Sequence, residues 1–348
     1  MPSFPLVEAK LVRPRPHPGV VSRERLVGLL SSDSEAGIVL VIAPPGYGKT
    51  VLLADWAAQE RRDVAWLTLD EFDNDPSVFL TYVAAAIDRV QAIDPSFGAA
   101  LTAQRTRILA AAVPRLASEL HRWPRPGVLV LDDLHRLQDR TCLDALASLL
   151  KHLPPGFRVV MASRTHPDLP VGRLRANRAL LEIGKDELAF DAPETEALAA
   201  AAGLRLSREV ARVLAERTEG WAAAIYLAAL AHERDATHHI GDGSVSGRDG
   251  YVAEYLRSEL GPILDDLDVA LLTRTSIIDD LEPGIAEAVS ALPDAMDRLG
   301  RLAHANLLIA ELPGVPPTFR CHHLLRDYLE AELERREPGS RPELHRRA

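Results

Sequence analysis

Five consecutive apolar residues, Ile38 to Ile42, run directly into the segment APPGYGKT at 43–50 and from there into a helix-spaced stretch, Val51 to Ala58. Few folds accommodate that order. A short strand that is apolar at every position must be covered on both faces, which points to a parallel sheet. A helix beginning just after the strand gathers backbone N–H groups and the positive end of the helix dipole at one spot. The segment follows the phosphate-loop pattern GxxxxGK[ST], with Ala43 in place of the first glycine. Gly46 and Gly48 permit the tight turn that aims successive N–H groups inward. Lys49 supplies a point charge for β- and γ-phosphates, and the Thr50 hydroxyl is placed to ligate Mg2+. Pro45, Tyr47 and Val51 complete the candidate ATP- or ADP-binding segment. Taken alone, the segment could still be an unrelated strand–turn–helix containing GxGKT.

Further strand candidates recur through the first half: Val64 to Leu67, Val128 to Leu131, Arg158 to Ala162 and Ala179 to Ile183. Longer stretches with helical spacing, such as Val78 to Val90, separate them. Alternation of this kind predicts an α/β domain with a parallel sheet and helices on both faces. The run Val128 to Leu131 ends in Asp132 and Asp133. Parallel sheets present the C-terminal ends of their strands to the ligand crevice. Asp132 is therefore the candidate second metal group beside Thr50, holding Mg2+ through water, and Asp133 the group that orients or deprotonates the attacking water. The same pair of carboxylates could equally cap a helix. Arg164, after the fourth strand, is placed to reach a γ-phosphate, or else to form a surface ion pair. Asp70, Asp73 and Asp75 admit two readings, support of the metal or helix capping, and Pro76 favours the second.

After Phe190 the strand pattern stops. Asp191 to Glu194 reads as a helix start, and helices are expected over Pro193–Ala202, Ser207–Arg217 and Trp221–His232. Residues 236–250 are polar, Gly-rich and aperiodic, the expected linker. More helices follow, then two short strands, Leu307–Glu311 and Thr318–Cys321, joined by a Pro-Gly segment. Helices followed by a small hairpin fit a winged-helix unit. The expected domains are thus 1–190, 191–235 and 251–336, with 337–348 opening a further region.

Lys and Arg total 40 against 50 Asp and Glu, a formal charge of −10, which argues against a chain that mainly binds nucleic acid. Asp279 to Asp297, where a recognition helix would be expected, is poor in arginine. Cys142 and Cys321 lack CxxC spacing and read as reduced thiols of a cytoplasmic protein. The N-terminus has no apolar stretch of the signal-peptide kind, and the longest apolar run, Trp221 to Ala231, is too short to span a bilayer.

With these residues in view, the chain resembles the STAND class of signal-transduction NTPases, in particular the MalT-like branch of the large LuxR-type transcriptional regulators. The resemblance is piecewise along nearly the whole chain. APPGYGKT at 43–50 is similar to that branch's phosphate loop, WLTLD at 66–70 with DNDP at 73–76 to its WLSLDxxDNDP segment, and LVLDDLHRL at 129–137 to its Walker B strand. ASRTHPDLPVGRLRA at 162–176 is similar to its sensor segment. TEGW at 218–221 resembles a motif of its helical domain, and LTRTSI at 272–277 and CHHLLRD at 321–327 its winged helix.

The resemblance implies roles for matching positions. Val21 and Arg23, in VSRE at 21–24, correspond to residues on the adenine side, although Ser22 stands where Gly is usual. Arg164 matches the sensor arginine. Gly220 matches the glycine of a Gly-x-Pro that packs on nucleotide, with Ala222 in place of the proline. His322 matches a winged-helix histidine that contacts the ADP β-phosphate. The implied activity is slow ATP hydrolysis used for switching: a monomer closed around ADP, self-association with ATP, and reset by hydrolysis. The implied partners are an effector or inhibitor protein acting through C-terminal repeats that lie beyond this piece of a longer regulator, and DNA only through domains outside it. Other readings are an AAA+-type or DNA-repair ATPase motor and a non-hydrolysing nucleotide-bound adaptor.

Overall fold

The computed structural model describes residues 4–15, 19–32, 36–94, 97, 101, 105–234 and 245–348. The chain divides into two compact units. The main segments of the first are Ser22–Ala43 and Lys49–Leu188; those of the second are Pro44–Gly48 and Ala189–Ala348.

The first unit is built on five strands, β1 (Ile38–Ile42), β2 (Val64–Thr68), β3 (Val128–Asp132), β4 (Arg158–Ser163) and β5 (Leu180–Ile183). They are parallel, in the order β2-β3-β4-β1-β5. Every residue of β1, β3 and β4 is buried, as their largely apolar sequences require, whereas edge strand β5 is mostly half-buried and tolerates Glu182. Helices α1 (Glu24–Ser31), α2 (Lys49–Gln59), α3 (Pro76–Asp88), α4 (Arg105–His121), α5 (Arg140–Leu150) and α6 (Val171–Ala176) accompany the sheet. Leu40, Leu67, Leu129 and Met161 of the strands share one core with Phe79 of α3 and Leu146 of α5. Each such side chain contributes roughly 1.5–3 kcal/mol by leaving water.

The acidic loop after β2 is explained by helix starts. Asp75 accepts from the Ser77 and Val78 amides at 2.8 and 3.2 Å, with Pro76 opening α3. Asp70 and Asp73 cap the single turn Glu71–Asp73 reciprocally, and fully buried Asp73 is held by Lys10 Nζ at 2.6 Å. All three carboxylates cap helical turns.

In the second unit come α7 (Ala192–Ala201), α8 (Arg208–Arg217), α9 (Ala222–Arg234), α10 (Gly250–Leu260) and α11 (Asp266–Thr275). Next are β6 (Asp280–Leu281), α12 (Pro283–Ser290), α13 (Ala295–His304), β7 (Ile309–Leu312), β8 (Thr318–Cys321), α14 (His323–Arg336) and α15 (Arg341–Arg347). Strands β6, β8 and β7 form an antiparallel sheet in that order, which with α11–α13 makes a winged helix. Of the expected linker, 236–244 lies outside the described residues. Its next residues are packed: Val245 is buried, and the Ser246 hydroxyl donates to Asp327 at 2.9 Å. The expected opening of a further region is likewise engaged, since Leu344 of α15 is buried with Val289 and Leu333.

Candidate nucleotide site

Strand β1 ends at Ile42, and the loop turns through two left-handed glycines, Gly46 (φ 81°) and Gly48 (φ 77°). Their surroundings differ. A Cβ on Gly46 would lie 2.5 Å from Trp221 Nε1 and 2.7 Å from the Ala223 Cβ, while one on Gly48 would meet nothing within 4 Å. Gly46 thus serves both the turn and a close approach; Gly48 serves the turn alone. Tyr47 between them is fully buried.

Helix α2 opens with Lys49, whose buried Nζ donates to the Ala43 carbonyl at 2.7 Å. The hydroxyl of Thr50 donates to Asp132 Oδ1 at 3.1 Å. Strand order makes that contact informative. β4 lies between β1 and β3, so Asp132 is two strands from the loop, and the first turn of α2 closes the distance. Val51 follows, 41% exposed.

Asp132 is almost fully buried, and its carboxyl is pushed up to about 6. Burial is the main cause, followed by repulsion from Asp133; the Thr50 hydrogen bond and Lys49 pull the other way. A divalent cation would favour the ionised carboxylate and so relieve this penalty. The hydroxyl–carboxylate pair fits Mg2+, an ion that takes few protein ligands and keeps its waters. Asp133 takes a left-handed conformation (φ 57°), and its side chain is 39% exposed. One carboxylate is sequestered and its neighbour is open to solvent, which suits them to different tasks.

Sequence reasoning passed over His135. It is half-buried, and its imidazole is held down to about 3, by burial first and then by the charges of Arg164, Arg136 and Lys49. Arg164 therefore lies close enough to Lys49 and the β3 end for all three to share one field. A neutral imidazole among cations, 3.8 Å from Asp133, belongs to this group. Its signal was the histidine two residues beyond the acidic pair.

Arg23 immediately precedes α1 and is buried, with its guanidinium donating to the Leu188 carbonyl at 2.7 Å. Val21 is half-buried.

Within the second unit, α8 ends in two left-handed residues, Glu219 (φ 49°) and Gly220 (φ 67°). A Cβ at Gly220 would sit 2.5 Å from the Phe190 amide nitrogen, which donates to the Gly220 carbonyl at 2.9 Å. Trp221, fully buried, donates its indole N–H to the Pro45 carbonyl at 3.0 Å, and the Ala223 amide donates to the Gly46 carbonyl at 3.0 Å. His322 stands edge-on to Trp221, ring centroids 5.7 Å apart. Its Nδ1 accepts from the Leu324 amide at 3.2 Å, capping α14, so in the neutral ring Nε2 carries the proton and donates to the Thr218 carbonyl at 3.2 Å. The sequence places Trp221 in the TEGW segment and at the start of a helix, but gives no sign of this contact, since 176 residues separate it from Pro45.

The winged helix departs from the sequence expectation in one respect. Asp279 to Asp297 covers β6 and α12; the helix preceding the hairpin is α13, which does carry arginines. They are engaged, however. Arg298 pairs with Asp265, Asp268 and Asp294, and Arg301 with Asp268. The hairpin tip presents fully exposed Val315 among prolines.

Two family models match the chain: an AAA ATPase domain over residues 22–161 and a MalT winged helix domain over 251–341. Serine/threonine-protein kinase PknK of Mycobacterium tuberculosis, and the protein of the same name from Mycobacterium bovis, are each 33% identical over 358 residues. These alignments cover 100% of this chain and 32% of the relative, so the chain spans about a third of the length of the curated relatives it matches. Among solved structures, the Walker-type ATPase PABY2304 of Pyrococcus abyssi superposes with a TM-score of 0.62 at 12% identity, over 90% of this chain and 98% of its own. That likeness is one of fold. No described helix is long and apolar enough to cross a membrane.

Proposed function

We propose, from the premise that this chain belongs to the MalT-like branch of the STAND-class P-loop NTPases, that it is the nucleotide-controlled switch of a signal-transducing transcriptional regulator. It rests in an inactive form with ADP and self-associates with ATP, and slow hydrolysis resets it. One observation carries the reading: the backbone of the phosphate loop is hydrogen-bonded to Trp221 and Ala223, and Trp221 packs on His322. A ligand held by this loop is felt by the helical segment and, through the indole, by the first turn of α14.

In this reading Pro45, Gly46, Tyr47, Gly48, Lys49, Thr50 and Val51 cradle the phosphates, with Val21 and Arg23 toward the base. Thr50 and Asp132 hold Mg2+. Asp133 orients the attacking water, and Arg164, in the same field as Lys49 and His135, responds to the γ-phosphate. Gly220 keeps the turn that presents Trp221. His322 offers Nε2–H, a donor suited to a phosphate oxygen. Driving such a switch from 1:99 to 99:1 takes about 5.5 kcal/mol of differential nucleotide affinity.

The test measures bound nucleotide, turnover and sedimentation for the wild type, Lys49→Ala and Asp133→Asn. Lys49→Ala should lose nucleotide. Asp133→Asn should keep it, lose turnover and remain associated in ATP. Tight ATP binding and unchanged turnover in both variants would sink the assignment; equal sedimentation in ATP and ADP would sink the switch.

A further inference from the structure

Among the described residues, Glu219, His322 and His323 each bring one ligand-type atom to within 4.8 Å of the others. Nε2 of His322 lies 3.8 Å from Glu219 Oε2, and Nδ1 of His323 lies 3.6 Å from Glu219 Oε1. Both separations are too long for hydrogen bonds. They are close to what co-ligands of one ion show: with metal–nitrogen and metal–oxygen bonds near 2.1 Å, tetrahedral neighbours stand about 3.4 Å apart. The two imidazoles are stacked, centroids 4.8 Å apart and planes within 19°, so both edges face the same carboxylate. No hydrogen bond accounts for how His323 is held, because its Nε2 is buried without a partner.

We propose that Glu219, His322 and His323 form a binding site for a first-row transition-metal ion of the zinc type. Two imidazoles and one carboxylate suit Zn2+, Co2+ or Ni2+ and not Mg2+ or Ca2+, which demand oxygen. The site has three protein ligands, with a fourth position left for water. Glu219 and His323 are 41% and 33% exposed and supply the entry path, while His322 lies buried beneath them. The left-handed conformation of Glu219 follows α8, and the two histidines are the N-cap and the first residue of α14, so the ligands come from fixed backbone. Arg320 is near enough to feel Glu219, but its guanidinium is spent on Asp280 at 2.7 and 3.0 Å.

Coordination has a defined cost at His322. Metal on Nε2 displaces the proton donated to Thr218 and moves it to Nδ1, which then ceases to accept from Leu324. Two hydrogen bonds of 3.2 Å are given up for two metal–nitrogen bonds and one metal–oxygen bond. Metal binding therefore uncaps α14 and removes the donor that His322 offers in its neutral form.

The site is tested on untagged full chain by Zn2+ calorimetry and by Co2+ titration followed in the visible region. One ion per chain should bind, with the intense bands of four-coordinate Co2+. His323→Ala and Glu219→Gln should each weaken binding at least tenfold while leaving the melting transition and nucleotide content in place. Lys49→Ala should bind zinc as the wild type does, which keeps this outcome separate from that of the nucleotide assignment. Absence of saturable binding, affinity unchanged in both ligand variants, or loss of zinc with Lys49→Ala would each overturn the proposal.

Discussion

Replacing Asp132 by Asn removes a charge that the fold holds at a cost. Burial and the Asp133 carboxylate raise the Asp132 carboxyl from 3.8 to about 6. At neutral pH its ionised form then carries up to about 3 kcal/mol of penalty relative to the unfolded chain. Asparagine preserves the shape and leaves an oxygen to accept from Thr50, so little is lost in exchange. Without nucleotide or Mg2+, Asp132→Asn should be the more stable protein, its midpoint higher by up to about 10 °C. The sign with pH follows from the raised folded value. The penalty is absent below 3.8, grows between 3.8 and 6 and is complete above 6, so the gap between variant and wild type should close on acidification through that window. With MgATP most of the gap should close, since a site saturated a hundredfold returns about 2.7 kcal/mol only to the chain that keeps its metal carboxylate. Thermal melts from pH 4 to 8, with and without MgATP, decide the matter. A variant less stable than the wild type in the free form, or a gap independent of pH, would refute the reasoning.

Three further outcomes follow from the same geometry. Gly48→Ala should cost about 1–2 kcal/mol in denaturant melts, the strain of a left-handed alanine. Gly46→Ala should cost clearly more, because its methyl would also meet the Trp221 indole and the Ala223 side chain; equal costs would contradict the packing described for Trp221. His135, held at about 3 against an ordinary 6.5, stays neutral in the fold while the unfolded chain takes up a proton, so it contributes stability above pH 6.5 that is lost as pH falls. Between pH 7 and 5 the wild type should therefore lose about 2 kcal/mol more than His135→Gln, and an imidazole titrating near 6.5 by NMR would rule this out. Arg298→Ala should lower the melting midpoint by leaving buried Asp268 with one partner fewer, and should not change affinity for duplex DNA in a fluorescence anisotropy assay. Weakened duplex binding with an unmoved midpoint would show that α13 is a nucleic-acid surface after all.

The legible parts of this chain are those whose physics is local. β1 spans the residues expected of it, because five apolar side chains in a row leave a strand no other place than mid-sheet. β2, β3 and β4 each run one residue further than expected, into Thr68, Asp132 and Ser163. Those residues are polar, so periodicity stops before them. Their strand character comes from pairing across the sheet, Thr68 with Asp132 and Ile42 with Ser163, which carries the strands into the site. β6 was illegible for the same reason: two residues, Asp280 and Leu281, become a strand only because Arg320 and Phe319 pair with them. The arginines of α13 could be read as residues but not as spent, since their partner Asp268 lies 30 positions earlier.

The two loop glycines show how far sequence alone could go. Pattern and backbone chemistry assign Gly46 and Gly48 one purpose, the tight turn, and the dihedral angles bear that out for both. Only the structure separates them, by what stands over each. Gly48 faces open space, as a position must if its neighbouring N–H groups are to meet a ligand. Gly46 is roofed by Trp221, Ala223 and the Tyr255 hydroxyl, and its carbonyl and that of Pro45 are the acceptors for that roof. One half of the loop is shaped for a phosphate and the other for protein, so the loop cannot shift for its ligand without disturbing an indole packed on His322. Under the switch proposed above, this roof is the contact through which the loop's state reaches Trp221.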